Sequence, residues 1–186
     1  MTFLDRFLQN WRVRTAARFI VPGMRVLDLG SADGVLLDHP GLGGAGSMGI
    51  DPTLAEPGRT PGGHRLVRGF FPGDLPAGSG PFDAIAMLAV LEHFPNAQHQ
   101  ALADGIATHL RPGGLLVITV PSPMVDHILT VLLKLRLVHG MSLEEHHGYD
   151  TSMTGQIFGA PRFRLLKHER FQLGLNNLFV FERVAS

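Results

Sequence analysis

The stretch that decides the fold is Val26-Leu27-Asp28-Leu29-Gly30-Ser31-Ala32-Asp33-Gly34, an apolar strand running into a turn of small residues. A short buried strand predicts itself from Met24 to Leu29, and small side chains after it let a ligand approach the backbone closely. A turn of this kind serves many nucleotide sites and also occurs as plain structure. Two acids narrow the choice. Asp28 sits inside the strand end, where a carboxylate would crowd a pyrophosphate but can accept from an ammonium group. Asp51 closes a second strand, Ser47 to Asp51, where an acid can accept from both hydroxyls of a ribose or simply form an Asp-Pro turn with Pro52. The second glycine of a dinucleotide fingerprint is replaced by Ala32, which counts against a nicotinamide-dependent oxidoreductase. Two carboxylates with no basic residue placed to hold a phosphate suit a nucleoside that carries an amino acid and a positive charge.

Outward from this stretch, strands and crossovers alternate. The pattern predicts an amphipathic helix carrying Phe3, Leu4, Phe7, Leu8 and Trp11, a brief helix from Asp33 to Asp38, a Gly- and Pro-rich loop from His39 to Gly46, and strands at His64–Gly69 and Phe82–Leu88. Pro and Gly recur from Pro52 to Gly63, so the helix usual between strands two and three is missing. Asn96 is placed to cap a helix with Ala101, Leu102, Ile106 and Leu110 on its buried face, and Leu115–Val120 follows as a fully buried strand. Arg162–Leu173 and Asn176–Val184 close the chain as an antiparallel hairpin, with Arg162, Arg164, Lys167 and Arg170 on its wet face. The expected architecture is α/β: a Rossmann-like, seven-stranded, mostly parallel sheet with an antiparallel C-terminal strand and helices on both faces.

The 186 residues suit a single domain, divided into an N-terminal helix (1–23), a ligand-binding core (24–121), an acceptor-side lid and loop (122–161) and the C-terminal hairpin (162–186). Sixteen basic and sixteen acidic side chains cancel, which excludes a broadly cationic nucleic-acid binder. Without cysteine there is no disulfide framework and no thiolate metal site. Asp5, Arg6, Gln9 and Asn10 interrupt any secretion-signal core, so a cytoplasmic location is expected. Met124 to Val138, the most apolar run, contains Asp126, His127, Lys134 and Arg136 and is too short to span a bilayer. Its apolar circumference suits a core helix or a contact between two copies of the chain in a homodimer.

Four segments together resemble the class I S-adenosylmethionine-dependent methyltransferases, in that family's order. Val26 to Gly34 is similar to the first motif and Gly49-Ile50-Asp51 to the second. Phe82-Asp83-Ala84-Ile85 through Val90-Leu91-Glu92-His93-Phe94 is similar to the strand-four segment, and Leu110-Arg111-Pro112-Gly113-Gly114-Leu115-Leu116 to the turn into strand five. The Leu-Glu-His segment looks most like small-molecule methyltransferases related to quinone-biosynthesis enzymes. The resemblance implies S-adenosylmethionine as cofactor, with Gly30, Ser31, Ala32 and Gly34 against its methionine part and Asp28 toward its ammonium. It also places Asp51 on the ribose, Pro52 on one face of the adenine, and Leu88, Ala89 and His93 near the methionine and sulfonium. Many relatives carry Gly-Asp-Ala after strand three; here Gly69-Phe70-Phe71 stands instead, leaving the adenine to Phe70 and Phe71. The resemblance further implies a lid over the acceptor at Met124 to Val138. The expected reaction is methyl transfer to a small-molecule acceptor, through an oxygen.

For proton removal the candidates are His146 and His147, with Tyr149 orienting the acceptor, in the densest ionisable group of the chain, Glu144 to Asp150. That group can equally be a solvated loop in which Asp150 caps a helix at Thr151 to Phe158. His93 is a further candidate, or a cap for the turn after it. No metal site is expected, since adjacent residues such as His146 and His147 rarely converge on one ion.

Overall fold

The computed structural model describes residues 3–122 and 150–185, and the side chains from Asp5 onward. The chain runs through α1 (Phe3–Ala17), β1 (Val26–Leu29), β2 (Met48–Asp51), β3 (Gly58–Arg59), β4 (Arg65–Arg68), β5 (Phe82–Leu88), α2 (His99–His109), β6 (Leu110–Pro121), α3 (Ser152–Ile157), β7 (Phe163–Phe171) and β8 (Asn176–Arg183). All eight strands form one sheet in the order β3-β4-β2-β1-β5-β6-β8-β7. β4, β2, β1, β5 and β6 are mutually parallel, and the closing β8 and β7 are antiparallel. This is the expected mixed Rossmann-like sheet, with one strand more than the sequence announces. The addition, β3, is only two residues long, both exposed, and lies inside the Pro- and Gly-rich run after Asp51. Two residues carry no readable alternation.

The central strands are apolar on both sides because both faces of a parallel sheet are covered. Leu27, Leu29, Ile50, Ile85, Met87, Leu116 and Ile118 pack in one core cluster, and Val26, Ala84, Ala86, Val117 and Val180 in the other. The chain leaves β1 toward β2 on one side, and β5 and β6 lie on the other. The order in which the chain adds strands therefore reverses between β1 and β5, and there a crevice opens beyond the carboxyl ends of the strands.

Several local expectations are corrected. Asp33–Asp38 forms turns rather than a helix, with single bonds from Gly34 N–H to the Ser31 carbonyl and from Asp38 N–H to the Gly34 carbonyl. Asn96 does not cap α2: it begins a short 3₁₀ turn, Asn96–Gln98, and the helix proper starts at His99. α2 buries His99, Leu102, Ala103 and Ile106, while Ala101 faces outward. The face of α1 is rotated as well. Val13 and Ala16, with Ile20 just beyond, enter the core, whereas Phe7 and Trp11 stack edge-to-face at the surface, with Phe7 half exposed. The helix expected at Thr151–Phe158 runs over Ser152–Ile157 with Thr151 at its cap position, so Asp150 lies one residue before the cap, where it accepts from Ser152 N–H at 2.9 Å. The proposed lid or interface helix Met124–Val138, and His146, His147 and Tyr149, lie outside the described residues.

Candidate active site

At the reversal point lies a cavity of about 830 Å³, within the usual range for small-molecule sites. The ends of β1, β2 and β5 supply its floor through Asp28, Gly30, Ser31, Ala32, Asp51, Pro52, Leu88 and Ala89. Phe70 and Phe71 follow β4 and form part of its wall, and His93 enters from the short turn after β5. Every residue the sequence places at the cofactor therefore lines this cavity except Gly34. The backbone there has φ +76°, and a Cβ would meet Thr60 Cγ2 at 2.3 Å, so its glycine is needed for packing behind the loop.

The loop after β1 is bent to suit the cavity. Gly30 has φ +71°, and a Cβ on it would meet Val90 Cγ2 at 2.4 Å. Ala32 and Ala89 also lie in the left-handed region, at φ 43° and 58°, a conformation that costs energy for any residue with a side chain. Both line the cavity. Ala32 is held by its N–H donating to Asp51 Oδ2 at 2.8 Å, and Ala89 by its N–H donating to the Thr119 carbonyl at 2.9 Å. Asp51 accepts further from Thr53 N–H and Thr53 Oγ1–H at 2.7 and 2.6 Å. One carboxylate thus braces the ends of two loops while lining the cavity.

Asp28 and Asp51 are both buried. Burial pushes the Asp28 carboxyl up to about 8, reinforced by the negative charges of Asp51 and Asp33. Such a group holds its proton near neutrality until a cation approaches. Ser31 Oγ is buried beside this carboxyl without a hydrogen-bond partner among the described residues. Gly49 makes room for it, since a Cβ there would sit 2.4 Å from that oxygen.

The sequence reading missed the opposite wall. Gln9, Arg12 and Val13 of α1 line the cavity, as do Thr53, Val90, Phe94, Pro95 and Gln98. Arg12 corrects the expectation of a site without a basic group. It lies in none of the ion pairs among the described residues, and desolvation lowers its pKa against the opposing charges of Glu92 and Asp5. Glu92 is half-buried, its Oε2 has no partner among the described residues, and desolvation pushes it up to about 7. The signal for Arg12 was present in its spacing. Gln9, Arg12, Val13 and Ala16 share one side of a helix, and the more conspicuous aromatic side drew the assignment.

A parallel sheet whose strand order reverses above a cavity with two strand-end carboxylates, a left-handed small-residue loop and one cation defines a nucleoside-binding enzyme of the Rossmann-like class. The family model for a methyltransferase domain matches residues 2–156, and the chain belongs to that family, whose methyl donor is S-adenosylmethionine. Among solved structures, magnesium protoporphyrin IX methyltransferase from Synechocystis PCC 6803, with S-adenosylhomocysteine bound, is similar at 19% identity. The match covers 98% of this chain and 88% of that one, with a TM-score of 0.63. The 1,6-didemethyltoxoflavin-N1-methyltransferase of Burkholderia thailandensis is similar at 16% identity over 97% of this chain and 82% of that one, with a TM-score of 0.62. A putative methyltransferase from Haloferax volcanii, solved with its Trm112 activator, gives 14% identity, 95% and 91% coverage and a TM-score of 0.67. No curated protein matches the chain.

The residues present fit the cofactor. Its donor and acceptor needs are an ammonium, a carboxylate, two ribose hydroxyls and an adenine, and the cavity offers carboxylates, a guanidinium and aromatic walls.

Proposed function

We propose that the protein methylates an oxygen of a small lipophilic molecule held in the same cavity as S-adenosylmethionine. The observation that carries this reading is His93 on the wall of the cavity, beside Val90, Phe94 and Pro95. A weakly basic amine already presents a free lone pair, and an alkylammonium gives up its proton before it attacks, whereas a hydroxyl must shed one as it attacks. An imidazole at the reacting end therefore favours an oxygen nucleophile. The apolar neighbours favour a lipophilic acceptor, and a concave site of this size favours a small molecule over a macromolecule. Two of the similar structures are named for small-molecule acceptors, which supports the same class.

S-adenosylmethionine supplies an activated methyl group. The chain's own part is to bind and align. In this reading Asp28 takes the ammonium, Arg12 the amino-acid carboxylate, Asp51 the ribose hydroxyls, and Pro52, Phe70 and Phe71 the adenine. Val90, Phe94 and Pro95 keep water from the acceptor, so that alignment and desolvation contribute most of the rate. His93 receives the acceptor's proton at a ring nitrogen, and His146, His147 and Tyr149 remain as further candidates for handling it.

The test is transfer of a labelled methyl group to a panel of apolar phenols, carboxylic acids and amines. Phenols or acids should be the acceptors, and His93→Gln should lower turnover ~100-fold or more while leaving affinity for S-adenosylhomocysteine unchanged. Methylation of amines alone, or undiminished turnover in His93→Gln, would overturn the oxygen assignment or the role of His93 respectively.

A further inference from the structure

At the opposite end of the sheet, below the amino ends of β1, β2 and β4, lies a second cavity of about 520 Å³. Arg25, Arg59 and Arg65 line it together with His64, and among the described residues no Asp or Glu does. In a chain whose basic and acidic side chains balance, three guanidinium groups in one concavity are a local excess of charge. Their placement is costly. Arg59 of β3 lies directly opposite Arg65 of β4 in an antiparallel pair, where like charges repel across the strands.

None of the three takes part in an ion pair among the described residues. Arg25 is oriented by donating from Nε to the Gly46 carbonyl and from Nη1 to the Gly80 carbonyl, and its guanidinium lies over the Phe82 ring. Arg59 donates from Nη1 to the Gly63 carbonyl. Each guanidinium carries five donors, so most remain available. The nearby acids are occupied elsewhere. Asp38 accepts from Thr60 Oγ1 and Gly62 N–H, and Asp83 from Arg111 Nε and the Arg25 backbone N–H. The walls between the arginines are Gly44, Gly46, Gly62, Gly63 and Gly78, which leave the concavity open to a ligand.

We propose that this second cavity binds a small polyanion through a diphosphate group. Planar guanidinium forks match phosphate oxygens two at a time, and a bridging diphosphate would replace the repulsion between Arg59 and Arg65 with attraction to both. The site lies across the sheet from the methyl-transfer cavity and shares no lining residue with it. It stands whether or not the acceptor assignment does.

Calorimetric titration with pyrophosphate, inorganic phosphate and ADP, in low-salt buffer free of phosphate, tests the proposal. Pyrophosphate should bind the wild type, inorganic phosphate more weakly, and Arg59→Gln and Arg65→Gln should each weaken pyrophosphate ~10-fold or more. S-adenosylhomocysteine should bind wild type and variants alike, which shows the variants folded. Thermal denaturation gives an independent reading: only the wild type should gain markedly in melting temperature from pyrophosphate. ADP binding tighter than pyrophosphate identifies a nucleotide as the source, and equal binding identifies the diphosphate alone as what is recognised. Absence of pyrophosphate binding to the wild type, unchanged binding by both variants, or preference for an RNA oligomer or an acidic peptide over pyrophosphate would overturn it.

Discussion

Asp51 braces the site as well as facing it, and the two roles separate by substitution. Asp51→Ala removes an acceptor for Ala32 N–H and for both donors of Thr53, so it should lower the melting temperature as well as weaken S-adenosylhomocysteine by about 1.5–3 kcal/mol. Thr53→Val deletes only the hydroxyl bond at 2.6 Å and should leave most of the affinity in place. Equal affinity of Asp51→Ala and wild type, measured by calorimetry, would remove Asp51 from the binding site. Gly30 gives a sharper backbone test. Alanine there must adopt φ +71° and push into Val90, so Gly30→Ala should cost about 1–3 kcal/mol of stability and deform the cavity wall, whereas Gly23→Ala has open space around it and should cost only the strain of its own positive φ. The identity of Gly30 was legible because a strand running into small residues has few physical readings. The need for Gly34 was legible too, but its reason, contact with Thr60, joins positions too far apart in the sequence to be read from it.

Among the elements, the buried parallel strands were the easiest to read, since a run apolar on both faces but for one acid can only be covered on both sides; Val26–Leu29 and Phe82–Leu88 appear within two residues of expectation. The helices were harder. In α1 two faces compete for the core, one with Phe7 and Trp11 and one with Val13 and Ala16, and periodicity alone favours the bulkier residues. The sheet settles it differently, because small and β-branched side chains let α1 lie close against β5 and β6 while the aromatic pair stays at the surface. This rotation brings Arg12 to the cavity. Arg12→Ala should therefore weaken S-adenosylhomocysteine ~10-fold or more, as loss of a charged hydrogen bond does, but leave 5′-methylthioadenosine, which lacks the amino-acid part, bound as before. An equal loss for both ligands would mean that Arg12 supports the fold of the cavity rather than recognising the carboxylate.

For the molecule as a whole, desolvation pushes two acids far above the ordinary carboxylate range, the buried Asp28 up to about 8 and the half-buried Glu92 up to about 7. Unfolded, each would ionise near pH 4. Between roughly pH 4 and 8 the native protein therefore binds more protons than the unfolded chain, and stability falls as pH rises through that window. Asp83 works the other way. Its carboxyl is held low by the Arg25 backbone N–H and by Arg111, so its contribution is present above the unfolded value and disappears as the medium is acidified. The ligand-free protein should accordingly have its highest melting temperature on the acid side of neutrality, and Asp28→Asn should flatten the fall toward pH 8. A cationic ligand reverses the balance at Asp28, because an ammonium beside the carboxyl favours its charged form. Binding of S-adenosylhomocysteine near pH 7 should then release up to one proton per site, seen as a calorimetric enthalpy that differs between buffers of different ionisation enthalpy. Asp28→Asn should abolish that dependence while Asp51→Asn retains it. If the wild-type enthalpy is the same in every buffer, Asp28 is already ionised in the free protein, and some other group must neutralise it inside the cavity.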